Sequence, residues 1–149
     1  KNHPKVDILI IGQHFYQFED AYSFDLDSKF RNENEHIYCF KAMIDGIKTG
    51  LFDVVAHPDR CFRRCTDWTE DMEKLSIQLF QVAGEYDIPL EINIGSYTKL
   101  PKKLIFRKEF WRLLDAYNKT SSKKVKMIYG LDSHSSEDME NRYSVEVGK

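Results

Sequence analysis

Val6-Asp7-Ile8-Leu9-Ile10-Ile11-Gly12 is short, β-branched and almost wholly apolar. The pattern predicts a strand buried on both faces, as in a parallel sheet. Gln13-His14 follows at once, so an ionisable side chain stands where the strand ends. Three later segments have the same character: Phe52-Asp53-Val54-Val55-Ala56, Ile88-Pro89-Leu90-Glu91-Ile92-Asn93-Ile94 and Val125-Lys126-Met127-Ile128-Tyr129-Gly130-Leu131.

Helical spacing fills the gaps between them. Ile37, Phe40, Ile44, Ile47 and Leu51 recur as one stripe, and Gly50 suits the left-handed residue that ends a helix. Thr69 suits an N-cap, with Glu70, Asp71 and Glu73 at the positive end of the helix dipole. Met72, Leu75, Leu79 and Val82 form that helix's apolar face. Phe106, Phe110, Leu113 and Tyr117 mark a third helix, and Ser135 or Ser136 can start a last one. The order β-α-β-α-β-α-β predicts an α/β fold with a parallel sheet and right-handed crossovers. Four strands fit either an open sheet or part of a β/α barrel.

One connection is long. Loops between a strand and the next helix usually hold about 2–6 residues. Here the chain from Phe15 to about Asn32 separates them, carrying Phe15, Tyr16, Phe18, Tyr22, Phe24 and Phe30. That aromatic content predicts a lid or pocket wall over a site rather than a linker.

The chain has 149 residues, 42% of them apolar and 31% charged, with a formal charge of -2. This is the length and composition of one globular domain. The weak net charge provides no field to gather nucleic acid or an anionic membrane. No apolar run approaches the ~18 residues of a membrane-crossing helix. Three cysteines are too few for a disulfide scaffold and point to a reducing, cytoplasmic setting. Cys61 and Cys65 follow His57 closely, but C-x3-C without a second pair is a weak zinc signal. Both are expected to pack inward as small apolar residues. His3 and His36 are expected at the surface.

The chemistry lies at the strand ends. Gly12-Gln13-His14 follows the first strand, His57-Pro58-Asp59-Arg60 the second, and Gly130-Leu131-Asp132-Ser133-His134 the fourth; the third carries Glu91 and Asn93. Ligands of parallel α/β folds bind at that carboxyl-terminal rim. Imidazoles with a carboxylate suit zinc, iron or manganese. Asp132 and His134, two residues apart on chain leaving a strand, point the same way. Glu91 lies within an apolar strand, where an unpartnered carboxylate is costly, so a cation, a metal or a proton should accompany it. Arg60 is the candidate to grip a phosphate bidentately, whereas Arg63 and Arg64 read as solvated.

Together these pieces resemble the PHP family, the polymerase and histidinol phosphatase domain. The ordered segments Val6–His14, Gly50–Asp59, Leu90–Asn93 and Gly130–Ser135 carry the resemblance across most of the chain. Tyr22-Ser23-Phe24-Asp25 is most similar to the histidinol-phosphatase branch. The resemblance implies a distorted seven-stranded β/α barrel with a multinuclear metal centre, of which this chain would be the carboxyl-terminal four-stranded part. The family's amino-terminal His-x-His motif is not found in the sequence, so the chain alone is expected to be nearly inactive.

By position, His14, His57, Asp132 and His134 look like metal ligands, with Asp132 or His134 also serving as proton donor to the leaving alkoxide. Arg60 and Phe24 would contact substrate. The implied reaction is metal-dependent hydrolysis of a small phosphate ester, histidinol phosphate in histidine biosynthesis. A protein-tyrosine or nucleotide phosphoesterase of the same family is the alternative, and a non-enzymatic PHP-like module another. A flavodoxin-like domain also fits the period, but no Gly-rich phosphate loop supports it. An open barrel edge would favour self-association.

Overall fold

The computed structural model describes residues 6–18, 22–25, 34–63, 65–95 and 107–139. Strand β1 (Ile10–Gly12) is followed by an antiparallel hairpin, β2 (Phe15–Phe18) and β3 (Tyr22–Asp25). Then come α1 (Glu35–Lys48), β4 (Val54–Ala56), a short 3-10 helix (Pro58–Phe62), α2 (Glu70–Glu85), β5 (Leu90–Asn93), α3 (Lys108–Thr120), β6 (Met127–Gly130) and the one-turn α4 (Ser136–Met139). The main sheet runs β1-β4-β5-β6, all parallel. The expected α/β class and the four parallel strands are therefore present. The long aromatic connection is in part a two-stranded hairpin, not a plain loop.

The helices start and stop where their end residues dictate. The Thr69 side chain accepts from the Met72 N–H at 3.4 Å, capping α2. Gly50 adopts φ +68° just beyond α1, a conformation that costs an L side chain roughly 1 kcal/mol or more. No side chain of its own caps α3; its N-cap is Arg107, whose backbone N–H is satisfied from elsewhere.

One face of the sheet carries the core. Phe40, Met43 and Ile47 of α1, Leu79, Phe80 and Ala83 of α2, and Phe110 and Leu114 of α3 close over Val55 and Leu90. Aromatic rings interlock at its centre: Phe62 stacks at 4.6 Å from Phe40 and Phe80 meets Phe110 edge-on at 5.0 Å. The stripe expected on α1 is rotated slightly. Cys39, Phe40, Met43 and Ile47 are buried, whereas Ile37 and Leu51 are exposed.

The opposite face of the first strand is exposed. Ile8 and Ile10 are 62% and 60% exposed, so the expected burial of the first strand on both faces does not hold. Ile11 alone of its central residues packs against the core. Pairing is also short: Val6 to Leu9 lie outside β1, and the chain there is held by Asp53, whose N–H donates to Leu9 O at 2.7 Å and whose carboxylate accepts from Leu9 N. No described helix is long and apolar enough to cross a membrane.

Candidate metal centre

The rim residues are gathered by register. Ile10, Ile11 and Gly12 of β1 lie beside Val54, Val55 and Ala56, and Val55 lies beside Leu90. Asn93 is level with Gly130 on β6. All four strands therefore end near one level, and the residues leaving them meet.

His14 and His57 meet most closely. Their ring centroids are 5.0 Å apart with planes at 88°. Gly12 lies directly beside both imidazoles, where an added Cβ would make ordinary van der Waals contact with them at 3.4–3.5 Å. His57 is 5% exposed, and its Nδ1 is buried with no hydrogen-bond partner. Burial lowers its pKa to about 4; the Arg60 guanidinium and His14 push the same way, and Asp132 opposes them. The ring is thus neutral near pH 7, with a lone pair to give.

His57 adopts φ 34° and ψ 55°, and Asp132 has φ 48°. A left-handed conformation is uncommon for residues with a Cβ and recurs at functional sites. The third such residue, Asp87, sits in the exposed turn after α2 and is ion-paired to Lys126 at 2.9 Å, so positive φ alone does not mark the site.

Two carboxylates complete the cluster. Glu91, half-buried, accepts from the His57 backbone N–H at 3.1 Å. Burial raises its pKa, Asp132 raises it further, and the His57 N–H draws it back. The partner observed for Glu91 is this backbone donor. His134 remains outside the cluster. Its side chain is 77% exposed, with Nδ1 2.8 Å from the Asp132 carbonyl oxygen and Nε2 3.9 Å from Asp132 Oδ1. A carbonyl partner requires the proton on Nδ1.

Two imidazoles and two carboxylates are a donor set that zinc, manganese or iron accepts, and the unpartnered buried Nδ1 of His57 fits a metal ligand. The set is not closed into a coordination shell: among the described residues no three His, Cys, Asp or Glu side chains come near enough to hold one ion.

The other expected site residues divide. Arg60 is half-buried in the 3-10 helix, its charge acting on His57. Phe24 lies on β3, paired with Tyr16, but its side chain and those of the aromatic lid beyond Phe15 fall outside the described residues, as do Arg64, Phe106 and His3. Cys61 turns inward as expected, beside Cys39, and burial pushes its thiol pKa well up. His36 is not a surface residue: it is half-buried, 6.1 Å from the Phe62 ring and with Nδ1 4.0 Å from Cys65 Sγ.

One neighbour escaped the sequence. Asp59, 3% exposed, accepts from Arg107 N at 3.0 Å and from Trp111 Nε1 at 3.1 Å. Arg107 Nε in turn donates to Phe62 O at 3.3 Å. Asp59 thereby caps α3 from another element and ties the segment after His57 to it. The Asp next to His57-Pro58 was the available signal, but its partners lie 48 and more residues away.

Comparison with family models, with curated proteins and with solved structures finds no match to this chain.

Proposed function

We propose that this protein is a metal-dependent phosphomonoesterase of the PHP kind, acting on histidinol phosphate. One observation carries the reading: His14 and His57, 5.0 Å apart, meet beside the Glu91 and Asp132 carboxyls where parallel strands end. His14, His57, Asp132 and His134 are the residues that would hold the divalent ions. Bound zinc, manganese or iron supplies Lewis acidity, neutralising phosphoryl charge and acidifying a coordinated water.

The chain's own residues do the rest. His57 is held neutral by burial and by Arg60, so its ring offers a lone pair rather than a proton. The Arg60 guanidinium beside it is the clamp for the phosphoryl oxygens. Asp132 or His134 returns the proton to the leaving alkoxide. Phe24 is the candidate contact for the imidazole end of the substrate.

The test is turnover of histidinol phosphate against phosphotyrosine and nucleotide monophosphates by the whole protein, before and after chelation. Histidinol phosphate should be hydrolysed fastest, and chelation and His57→Gln should each abolish activity. Faster turnover of phosphotyrosine would move the substrate within the class. Chelator-resistant activity would remove the class itself. A binding module without catalysis is the second reading, favoured by the open donor set among the described residues. Metal binding with no turnover of any of these esters would select it.

A further inference from the structure

Glu91 occupies the third strand of the parallel sheet, and its carboxyl bridges to both neighbouring strands. Toward β4, Oε2 accepts the His57 backbone N–H at 3.1 Å. Toward β6, the side chain lies across Gly130, where an added Cβ would overlap Oε1 and crowd Cδ and Cγ. Gly130 has no positive φ, so its backbone is one that any residue adopts. The three heavy atoms nearest its missing Cβ all belong to Glu91. A side chain there would push this carboxylate aside, and the turn of the chain makes no demand for glycine.

What the carboxylate holds is the strained point of the rim. His57 sits at φ 34° immediately after β4, with its ring turned toward His14. A left-handed backbone on a residue with a Cβ persists only where surrounding contacts fix it. The bond to Glu91 is such a contact, reaching the very peptide that sets the ring's direction. We propose that Glu91 is a positioning residue: through the His57 N–H it fixes the backbone that aims the His57 imidazole at His14, and Gly130 exists to let it do so. The inference rests on the reading of His57 as a metal ligand, which it deepens. Outer partners that orient a ligand commonly change metal affinity by about 10–100-fold when removed.

Glu91→Gln keeps an oxygen that accepts from the His57 N–H, Glu91→Ala removes it, and Gly130→Ala displaces Glu91 without altering it. Two measurements on the chain with these variants separate the outcomes. The first, made without metal, is the 15N-resolved chemical shift and hydrogen exchange of the His57 amide. It should be downfield and protected in the wild type and Glu91→Gln, and lose both properties in Glu91→Ala and Gly130→Ala. The second is titration with Co(II), read by its visible absorption. Affinity should fall about tenfold or more in Glu91→Ala and Gly130→Ala, and stay within about threefold of wild type in Glu91→Gln.

An unmoved His57 amide in Glu91→Ala overturns the proposal, as does a Glu91→Gln affinity as poor as that of Glu91→Ala, which would make the charge rather than the hydrogen bond the active feature. A wild-type chain that binds no Co(II) refutes the metal reading instead. The amide signals then decide on their own whether Glu91 braces His57.

Discussion

Replacing Asp59 tests how the rim is tied to the helical layer. The Asp59 carboxylate has two buried donors, Arg107 N and Trp111 Nε1, at 3.0 and 3.1 Å. Asp59→Ala leaves both without an acceptor. A buried unsatisfied group costs about 1–3 kcal/mol, so the expected loss, measured where the wild-type carboxyl is protonated, is about 3 kcal/mol with the small cavity included. Asp59→Asn keeps an oxygen for both donors and removes a buried charge. Burial raises the Asp59 pKa to about 6, while its two donors pull it back.

The sign of the pH effect follows. A folded-state pKa above the unfolded value means the folded chain binds the extra proton. The stabilisation is complete below about pH 4 and is lost as pH rises through about 6. A shift of about two units corresponds to roughly 3 kcal/mol across that window. The asparagine has no such slope. Relative to wild type, Asp59→Asn should therefore lose about 1 kcal/mol near pH 4.5 and become neutral or stabilising near pH 7.5. Urea unfolding followed by far-ultraviolet circular dichroism at both pH values gives the three differences directly. An alanine variant as stable as wild type at pH 4.5, or an asparagine variant as damaged as alanine at that pH, would refute the assignment of the carboxylate as a neutralisable acceptor.

His57 should titrate near pH 4 in the metal-free chain, measured by the shift of its Cε1 proton. Its folded pKa is depressed, so the stability it contributes is present above about pH 6.5 and fades as pH falls toward 4. Arg60→Ala should move that midpoint upward, and a wild-type midpoint near 6.5 would contradict the burial. Gly50→Ala should cost about 1 kcal/mol in a thermal melt, because φ is +68° and nothing lies within 4 Å of the new methyl; a larger loss would require a contact the structure lacks. Ile10→Lys should reduce any concentration-dependent association seen by sedimentation velocity, since Ile10 is 60% exposed beside an open strand edge. Unchanged association would put the contact elsewhere.

The strands, helices and rim histidines were legible because each is encoded locally. Four apolar segments ending in polar residues specify a parallel sheet with a loaded edge, and Thr69 and Gly50 set helix ends by their own conformations. What escaped was set by distant partners. The period of Val6–Gly12 reports a buried strand, but not whether an element covers its second face, and Ile8 and Ile10 stay exposed. His36 carries no sign that Phe62 and Cys65 fold against it. The α3 N-terminus lacks a capping side chain because Asp59 supplies the acceptor from another element. Glu91 was legible as a carboxylate needing a partner. That the partner is a peptide N–H could not be read, since every residue but proline has one.

The exposed Ile10 and the candidate site share one face of the sheet. Ile11, Val55 and Leu90 share a row that packs toward the helices. One step along each strand, side chains alternate to the other side. There the row runs Gly12, Ala56 and Glu91, with Ile128 level with Glu91. Small residues on β1 and β4 and glycine at the end of β6 leave space around one carboxylate and two imidazoles. Larger apolar residues there would give that face a better surface to bury, but would fill the room the donors use. The helix-facing layer holds the fold without help from this row, because its core residues lie on the other side of the sheet. Substitutions at Gly130 and Glu91 should therefore add independently to substitutions at Phe80 or Leu114, as distant sites do. Asp59 is the exception, since it connects the segment after His57 to α3, and its variants should couple to both layers.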